Sequence, residues 1–557
     1  MQYSMYIRIT KNNKGQSYYH LVESFREGGK VRQKVLLSLG KVEDNRLEEL
    51  IAAISKHKDV LTALEAAKSL EIEDTYILGP LLVLQHIFKR FGIEQLLLNI
   101  ASQHPQLHFN FVRIIFTMIV CRFLRPGSKL KIFEHWQDRL YPELLAGKDE
   151  LHHLYRALDL LCKHKEQIEQ DLYWHGRDLL NISVDVVLYD LTTLRFESTR
   201  EDLGELCRFG YSKEMRSDCT QVVLGLLVDT DGIPLGFEVY PGNTFEGATL
   251  VDIVKCMREK FKIRRFIFVA DRGLFSAGNL EHIRTRCGSD ADGEFIVGMK
   301  LGVIRQRHDE FYDRSRFSKM EEGLEWYETV HGRDRCIITW SQKRAERDRK
   351  TREDILSKIS KKLTKKKNSS KDFVSNTNYL KFVSGLKEGK PHLNEAAITE
   401  AESKDGFFGV ITNVPKERMS APDVISAYKH LWIVEDAFGE IKGSLQARPV
   451  YHWTDDRIRG HLAMCFLGYF CEAQMTKLLR QKDVILKSAA IQEGTIDERP
   501  LTVTEAMKEL AEVRAIPVKV KKSHVWVRTD IKGNAALLFK AIGIPFPPRV
   551  LKCAEEA

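Results

Sequence analysis

The sequence predicts an α/β fold: a core ordered β-β-β-α-β-α-β, a long β-rich insertion, and a helix that returns to the core. Three observations carry this prediction. From Ser183 the pattern changes to short apolar runs, SVDVVLYD, TQVVLGLLV and PLGFEVY, which read as strands. The turn DTDG between the second and third marks a hairpin, so these three strands are expected to be antiparallel. Helical and strand patterns then alternate through GATLVDIVKCMREKF, RRFIFVAD, SAGNLEHIRTRC and EFIVGMK.

Before the core, residues 1–45 alternate apolar and polar (MYIRIT, SYYHLVESF, KVRQKVLLSLG) around the turns KNNKGQ and EGGK, which predicts a small β segment. Residues 76–181 form a helical region whose elements are apolar at helical spacing, among them GPLLVLQHIFKRFG, FNFVRIIFTMIVCRFL and LHHLYRALDLLCKH. This region serves either DNA binding or structural support. The first part of the core covers 182–300. Residues 301–414 carry their own strand patterns (FYDRSRF, EWYETV, RCIITW, FFGVITN), and an excursion of that length reads as an inserted subdomain rather than a loop. The second part of the core, 415–482, holds a helix from Ala421 to Leu445 and a long apolar helix after it. The C-terminal region, 483–557, offers no chemistry that can be named.

Composition narrows the class. The 557 residues are 43% hydrophobic, enough for a large core and more than one domain. The formal charge of +9 is unevenly placed: Lys343 to Lys371 holds 13 Lys/Arg against 4 Asp/Glu. Such a run fits a polyanionic partner or a solvated loop. The ten cysteines lack a paired CxxC framework, and no signal peptide pattern precedes the first strand, so a reduced, cytoplasmic protein is expected. The longest apolar stretch, Phe111 to Leu124, contains Arg113 and Arg122 and falls short of the ~20 residues that span a bilayer.

Three acids stand where this topology would use them. Asp190 ends one strand pattern and Asp271 another, while Glu435 lies on the returning helix. Around it Tyr428, Leu431, Glu435 and Lys442 occupy i−7, i−4, i and i+7, one helical face. A carboxylate beside an aromatic hydroxyl and an ammonium suits a metal ion working on a phosphate, and three such acids suit two-metal phosphodiester chemistry. Taken singly, Asp190 could be a strand cap, Asp271 a turn residue and Glu435 a surface side chain. Asp185 points to the opposite strand face from Asp190. Asp436 and Glu440 lie about 100° and about 140° around the helix from Glu435.

The order of elements is the one expected of an RNase H-like domain, and the chain resembles a bacterial insertion-sequence DDE transposase. The resemblance rests on YYHLVESFREGGKVRQKVLLSLG, YDLTTLRFE, GYSKEMR, ADRGLFS and the glutamate helix. It includes the Tyr-x2-Arg-x3-Glu-x6-Lys signature, read here as Tyr428, Leu431, Glu435 and Lys442, with leucine in the arginine position. Lys429, His430 or Arg448 are alternative sources of that cation. The resemblance implies that Asp190, Asp271 and Glu435 hold two Mg²⁺ (or Mn²⁺) ions and that Tyr428 and Lys442 contact DNA phosphates. It implies double-stranded DNA partners, namely terminal inverted repeats and target DNA, and a homodimer in the synaptic complex. In the insertion, Trp326 and Trp340 are candidates for stacking on an extruded base, or core residues.

Lys213 and Arg216 of GYSKEMR are either a basic clamp on DNA or a solvated turn. His461, Cys465 and Cys471 could touch a metal, or be buried helix residues. No GxxxxGK[ST] or GxGxxG loop suggests a nucleotide cofactor. Two other readings stay open: a catalytically inactive DNA-binding inhibitor or regulator, and a structure-specific nuclease without strand transfer.

Overall fold

The computed structural model describes residues 4–551 except 28–29, 41–73, 146–148, 176–184, 203, 213–215, 217, 250–251, 254–259, 262–265, 275, 287–292, 300, 302–307, 365–372, 374–376, 387–390, 493–494 and 521–522. Two compact units emerge, residues 1–158 with 474–557, and residues 159–473. No helix among the described residues is long and apolar enough to cross a membrane.

In the first unit, β1 (Ser4–Lys11), β2 (Ser17–Glu27) and β3 (Lys30–Gly40) form an antiparallel meander. A short strand β4 (Tyr76–Ile77) leads into helices α1 (Gly79–Arg90), α2 (Ile93–Ser102), α3 (Phe111–Leu124) and α4 (Lys129–His135). The α3 helix starts where Asn110 accepts the Arg113 amide, and its residues from Ile114 to Leu124 are all buried. The described residues between 483 and 551, read from the sequence as part of a separate region, fold with these helices. A strand at Arg514–Val520 pairs with β4, and Trp526 sits edge-on between Tyr76 and Tyr141. Local pattern could not reveal that partnership because its two halves lie more than 400 residues apart.

The second unit is built on one mixed sheet. Its helix α6 (Lys165–Trp174) follows α5 (Leu151–Lys163), so the helical region expected to end at 181 gives part of its length to the core. The strands are β5 (Asp185–Arg195), β6 (Gln221–Val228), β7 (Pro234–Pro241), β8 (Phe266–Ala270) and β9 (Glu294–Met299), with α7 (Ala277–Arg286) between the last two. β5, β6 and β7 are antiparallel, whereas β5, β8 and β9 run parallel. Every residue of β6 and β8 is buried, the mark of strands covered on both faces. At the β6–β7 turn the Asp229 carboxylate accepts the Asp231 and Ile233 amides, and Gly232 takes φ +84°. The helix expected over residues 247–261 falls largely outside the described residues.

The insertion differs from expectation in one respect that matters. Its strands β10 (Ser318–Glu321), β11 (Leu324–His331) and β12 (Asp334–Ser341) do not form a separate sheet. They join β15 (Phe407–Thr412), which pairs antiparallel with β9, and the nine strands run in the order β10-β11-β12-β15-β9-β8-β5-β6-β7. Between β12 and β15 lie α8 (Gln342–Leu363), the two-residue strands β13 (Val383–Ser384) and β14 (His392–Leu393), and α9 (Glu395–Glu402). Their small core is Ile359, Phe373, Phe382, Val383 and Ile398. The long basic run is thus mostly a helix.

The chain then enters α10 (Ala421–Lys429), α11 (Trp432–Gly439) and α12 (Asp455–Gln481). A capping box between Ser420 and Asp423 starts α10. Beneath the β7 side of the sheet, the fully buried Glu169 carboxylate accepts the Phe237 amide at 2.8 Å and pairs with Lys165 at 3.2 Å and with Lys260. Lys165 lies 4.6 Å over the Phe237 ring. Replacing one member of a buried ion cluster leaves charge without compensation. Glu169→Ala should therefore destabilise this unit by about 3–5 kcal/mol, and Glu169→Gln by less because its carbonyl can still accept the Phe237 amide, as read from urea unfolding of the full chain.

Candidate functional site

The three acids predicted from sequence come together. Tyr189 pairs with Ala270 across the parallel strands β5 and β8. Asp271 is the residue just past β8, whereas Asp190, expected to end its strand, lies within β5, which continues to Arg195 and pairs Asp190 with Leu226 of β6. The two aspartates stand at one level on neighbouring strands, about 4.8 Å apart at the backbone. Glu435 arrives on α11, which packs against β5 and β6. All three line one cavity of about 1230 Å³. Tyr428 lines it too, and its hydroxyl donates to Asp271 Oδ1 at 2.9 Å.

Close approach at this point needs a missing side chain. A Cβ on Gly298 of β9 would come within 2.5 Å of the Tyr428 hydroxyl and 2.9 Å of the Arg272 amide. Glycine lets the tyrosine and the turn after β8 meet over the sheet. Burial, and then the charge of Asp271 with its hydrogen bond, raise the pKa of Tyr428 well above the usual phenol value. It acts as a neutral donor that holds the aspartate.

The helix carrying Glu435 departs from the expected form. A straight helix over Ala421–Leu445 would put Tyr428, Leu431, Glu435 and Lys442 on one face. Instead, α10 and α11 are joined through i→i+3 bonds, Leu431 to Tyr428 and Val434 to Leu431. After α11, a π turn covers Glu440–Ser444, with the Leu445 amide reaching back to Glu440. The extra residue in that turn shifts the register. Lys442 is absent from the cavity lining, while Tyr428, Leu431 and Glu435 remain in it. Asp436 and Glu440 do not line it either.

The other expected contacts separate in the same way. Lys429 lines the cavity but pairs with Glu321 at 3.3 Å, and neither His430 nor Arg448 lines it. Trp340 pairs with Phe407 and Glu325, whereas the neighbouring Thr339 and Ser341 line the cavity, so Trp340 faces the opposite side of the sheet. Its ring is covered by the Arg314 guanidinium at 3.5 Å. Trp326 lies opposite Thr339 on the cavity-side face, outside the lining itself. Lys213 lies outside the described residues. Arg216 is engaged by Asp218 at 2.6 and 2.9 Å, which raises its pKa. His461 meets the Ala447 carbonyl at 3.1 Å and Cys465 at 3.8 Å, all buried in the core.

Sequence reasoning missed several cavity residues, Lys343 of α8 among them. Arg272 follows Asp271 directly, Arg344 and Arg347 belong to the first turns of α8, and Trp432 opens α11 with 52% of its surface exposed. An exposed tryptophan beside an acidic helix was visible as text, but nothing in the sequence placed α8 at the acids. The donor set suits hard cations: carboxylate oxygens on adjacent strands with a helix carboxylate above them. Among the described residues the tight metal-like cluster is a different one, Glu150, His152 and His153 of the first unit, with ligand atoms within 4.8 Å of one another. Two ions about 3.5–4 Å apart call for acids spread more widely than one coordination shell.

No curated protein matches the chain. Residues 7–66 match the IS1634 family transposase N-terminal domain, and residues 184–471 match the transposase DDE domain. The longer match starts at the first strand of the mixed sheet and runs through the Glu435 helix into α12, more than half of the chain. On that extent of agreement, the chain belongs to the DDE transposases of insertion sequences.

Proposed function

We propose that this transposase cleaves DNA at the ends of its insertion sequence and transfers the freed 3′-hydroxyl strand into target DNA. The observation that carries this reading is the arrival of Asp190, Asp271 and Glu435 from three separate elements in one cavity. The strand order β7-β6-β5-β8-β9, with its switch from antiparallel to parallel at β5, supports an RNase H-like core. Asp190, Asp271 and Glu435 would hold two Mg²⁺ or Mn²⁺ ions, which when bound activate a water or 3′-hydroxyl and stabilise the leaving oxygen.

The protein's own groups prepare that site. Neighbouring parallel strands bring the aspartates to one level, Asp190 within β5 and Asp271 at the residue after β8. Tyr428 restrains Asp271 through a hydrogen bond to a charged acceptor and keeps its proton at working pH. Trp432 presents an exposed indole face to the cavity, a surface on which an unpaired base can stack. Joining two ends requires two active sites, so the working form is a homodimer bound to terminal inverted repeats. Leucine at the signature's arginine position favours a second reading, a DNA-binding inhibitor that no longer cuts.

Strand cleavage and joining on duplexes carrying the element's own ends, with Mg²⁺, decides between them. Glu435→Ala should lose both activities by at least ~10³-fold while binding the ends normally. Wild type that binds and never cuts establishes the inhibitor reading, and cutting without joining establishes a nuclease. A mutant that still cuts shows that another acid serves. Tyr428→Phe removes one hydrogen bond to a charged group, about 1.5–3 kcal/mol. Its cleavage rate should fall roughly 10- to 100-fold, with little change in end binding as measured by gel shift.

A further inference from the structure

The cavity has the three acids on its floor, and the insertion lines it with both signs of charge, Glu321, Glu322 and Glu346 beside the cations of α8. Lys343, Arg344 and Arg347 line it from the first turns of α8, joined by Arg272. The start of α8 is built against ordinary helix preference. Its first turn holds no acid, the Ser341 side chain makes no capping bond, and three cations crowd the positive end of the helix dipole. An anion bound there would turn that cost into a gain.

Arg344 is the best placed of the three. Its guanidinium lies 4.8 Å over the Phe408 ring, and Phe408 in turn packs on Tyr428 with ring centroids 5.0 Å apart. Arg344 is thus two ring contacts from the hydroxyl that holds Asp271. Its Nε is buried with no hydrogen-bond partner, and the Asp348 carboxylate stands 3.7 Å away, beyond hydrogen-bonding reach. Burial first, then the charges of Arg347 and Arg272, lower its pKa against the opposing pull of Asp348. On the same cavity Leu431 fills the signature's arginine position with a buried apolar side chain.

We propose that Arg344, with Arg272 beside it, binds a phosphate of the DNA strand in this cavity and supplies from the insertion the cation that position 431 lacks. The fork of a guanidinium suits a phosphate better than an ammonium does, and stacking on Phe408 holds it in place before DNA arrives. This inference rests on the transposase reading above.

Binding and cleavage assays on a duplex bearing the element's own end test it, with the salt dependence of affinity measured for each variant. Arg344→Ala should weaken binding about tenfold and reduce the slope of log K against log salt by about 1. Its cleavage rate should drop further than its affinity. Arg344→Lys should recover the slope and not the rate, because a point charge replaces the fork. Arg349→Ala, on the same helix outside the cavity lining, should leave both near wild type. In the Arg344→Ala background, Leu431→Arg should restore binding and part of the rate.

Unchanged affinity and slope in Arg344→Ala overturn the proposal, as does an equal loss in Arg349→Ala. Arg344→Gln keeps much of the side chain over Phe408 and gives the same readout if the alanine variant unfolds. A wild type that fails to cleave defeats the transposase reading instead, and the salt slope still decides whether Arg344 meets a phosphate.

Discussion

The pairing of β15 with β9 holds the candidate site together. Four residue pairs, Gly409 with Met299 through Thr412 with Ile296, join the insertion to the parallel core. Side chains lock the seam: Thr412 donates to the Phe295 carbonyl, and the Asn413 amide both accepts from the Phe295 amide and donates to the Gly293 carbonyl. Through that seam Phe408 reaches Tyr428, and α8 reaches the acids. Without it Asp190 and Asp271 would still stand on neighbouring strands with the Glu435 helix packed on β5 and β6, but the cations of α8 would have no fixed place.

The same economy appears around Asp271. A strand end, a glycine and a tyrosine from three different elements meet within hydrogen-bonding distance, and each tolerates little change because the others leave no room. Tyr189, one residue before Asp190, repeats the pattern on the neighbouring strand. Its hydroxyl is buried, donates to Thr249 at 3.0 Å, and packs over Gly225 of β6. Beside each aspartate a tyrosine thus packs on a glycine, half-buried Tyr428 on Gly298 and buried Tyr189 on Gly225.

The acids were legible in the sequence because each ends an apolar run or sits on a periodic helix, and those are local signals. The hairpin at Asp229–Gly232 was legible for the same reason. Lys442 was misplaced because periodicity assumes a uniform helix, and a π turn carries no residue pattern that announces it. Trp340 stayed open between base stacking and the core because strand parity assigns a face only once a partner strand is known. The basic run read as a polyanion surface or a solvated loop, and most of it is indeed a solvated helix. That three of its cations turn into the cavity depends on β15 returning to β9, a contact between segments more than a hundred residues apart.

The manner in which the α8 excursion is attached has a consequence for modularity. The chain leaves the sheet after Trp340 and returns at Phe407, and those two residues are direct partners, with the Ser341 amide bonded to the Gly406 carbonyl at 3.0 Å. Exit and re-entry are thus no farther apart than the two sides of a hairpin, about 5 Å. The described residues between 342 and 405 form a cassette with its own small core around Phe373 and Phe382, and they also touch the rest of the unit through Arg344 on Phe408 and Lys404 on Tyr312. A short turn could replace that cassette and leave all nine strands in register. The cations that line the cavity can therefore be exchanged without disturbing the strands on which the aspartates stand.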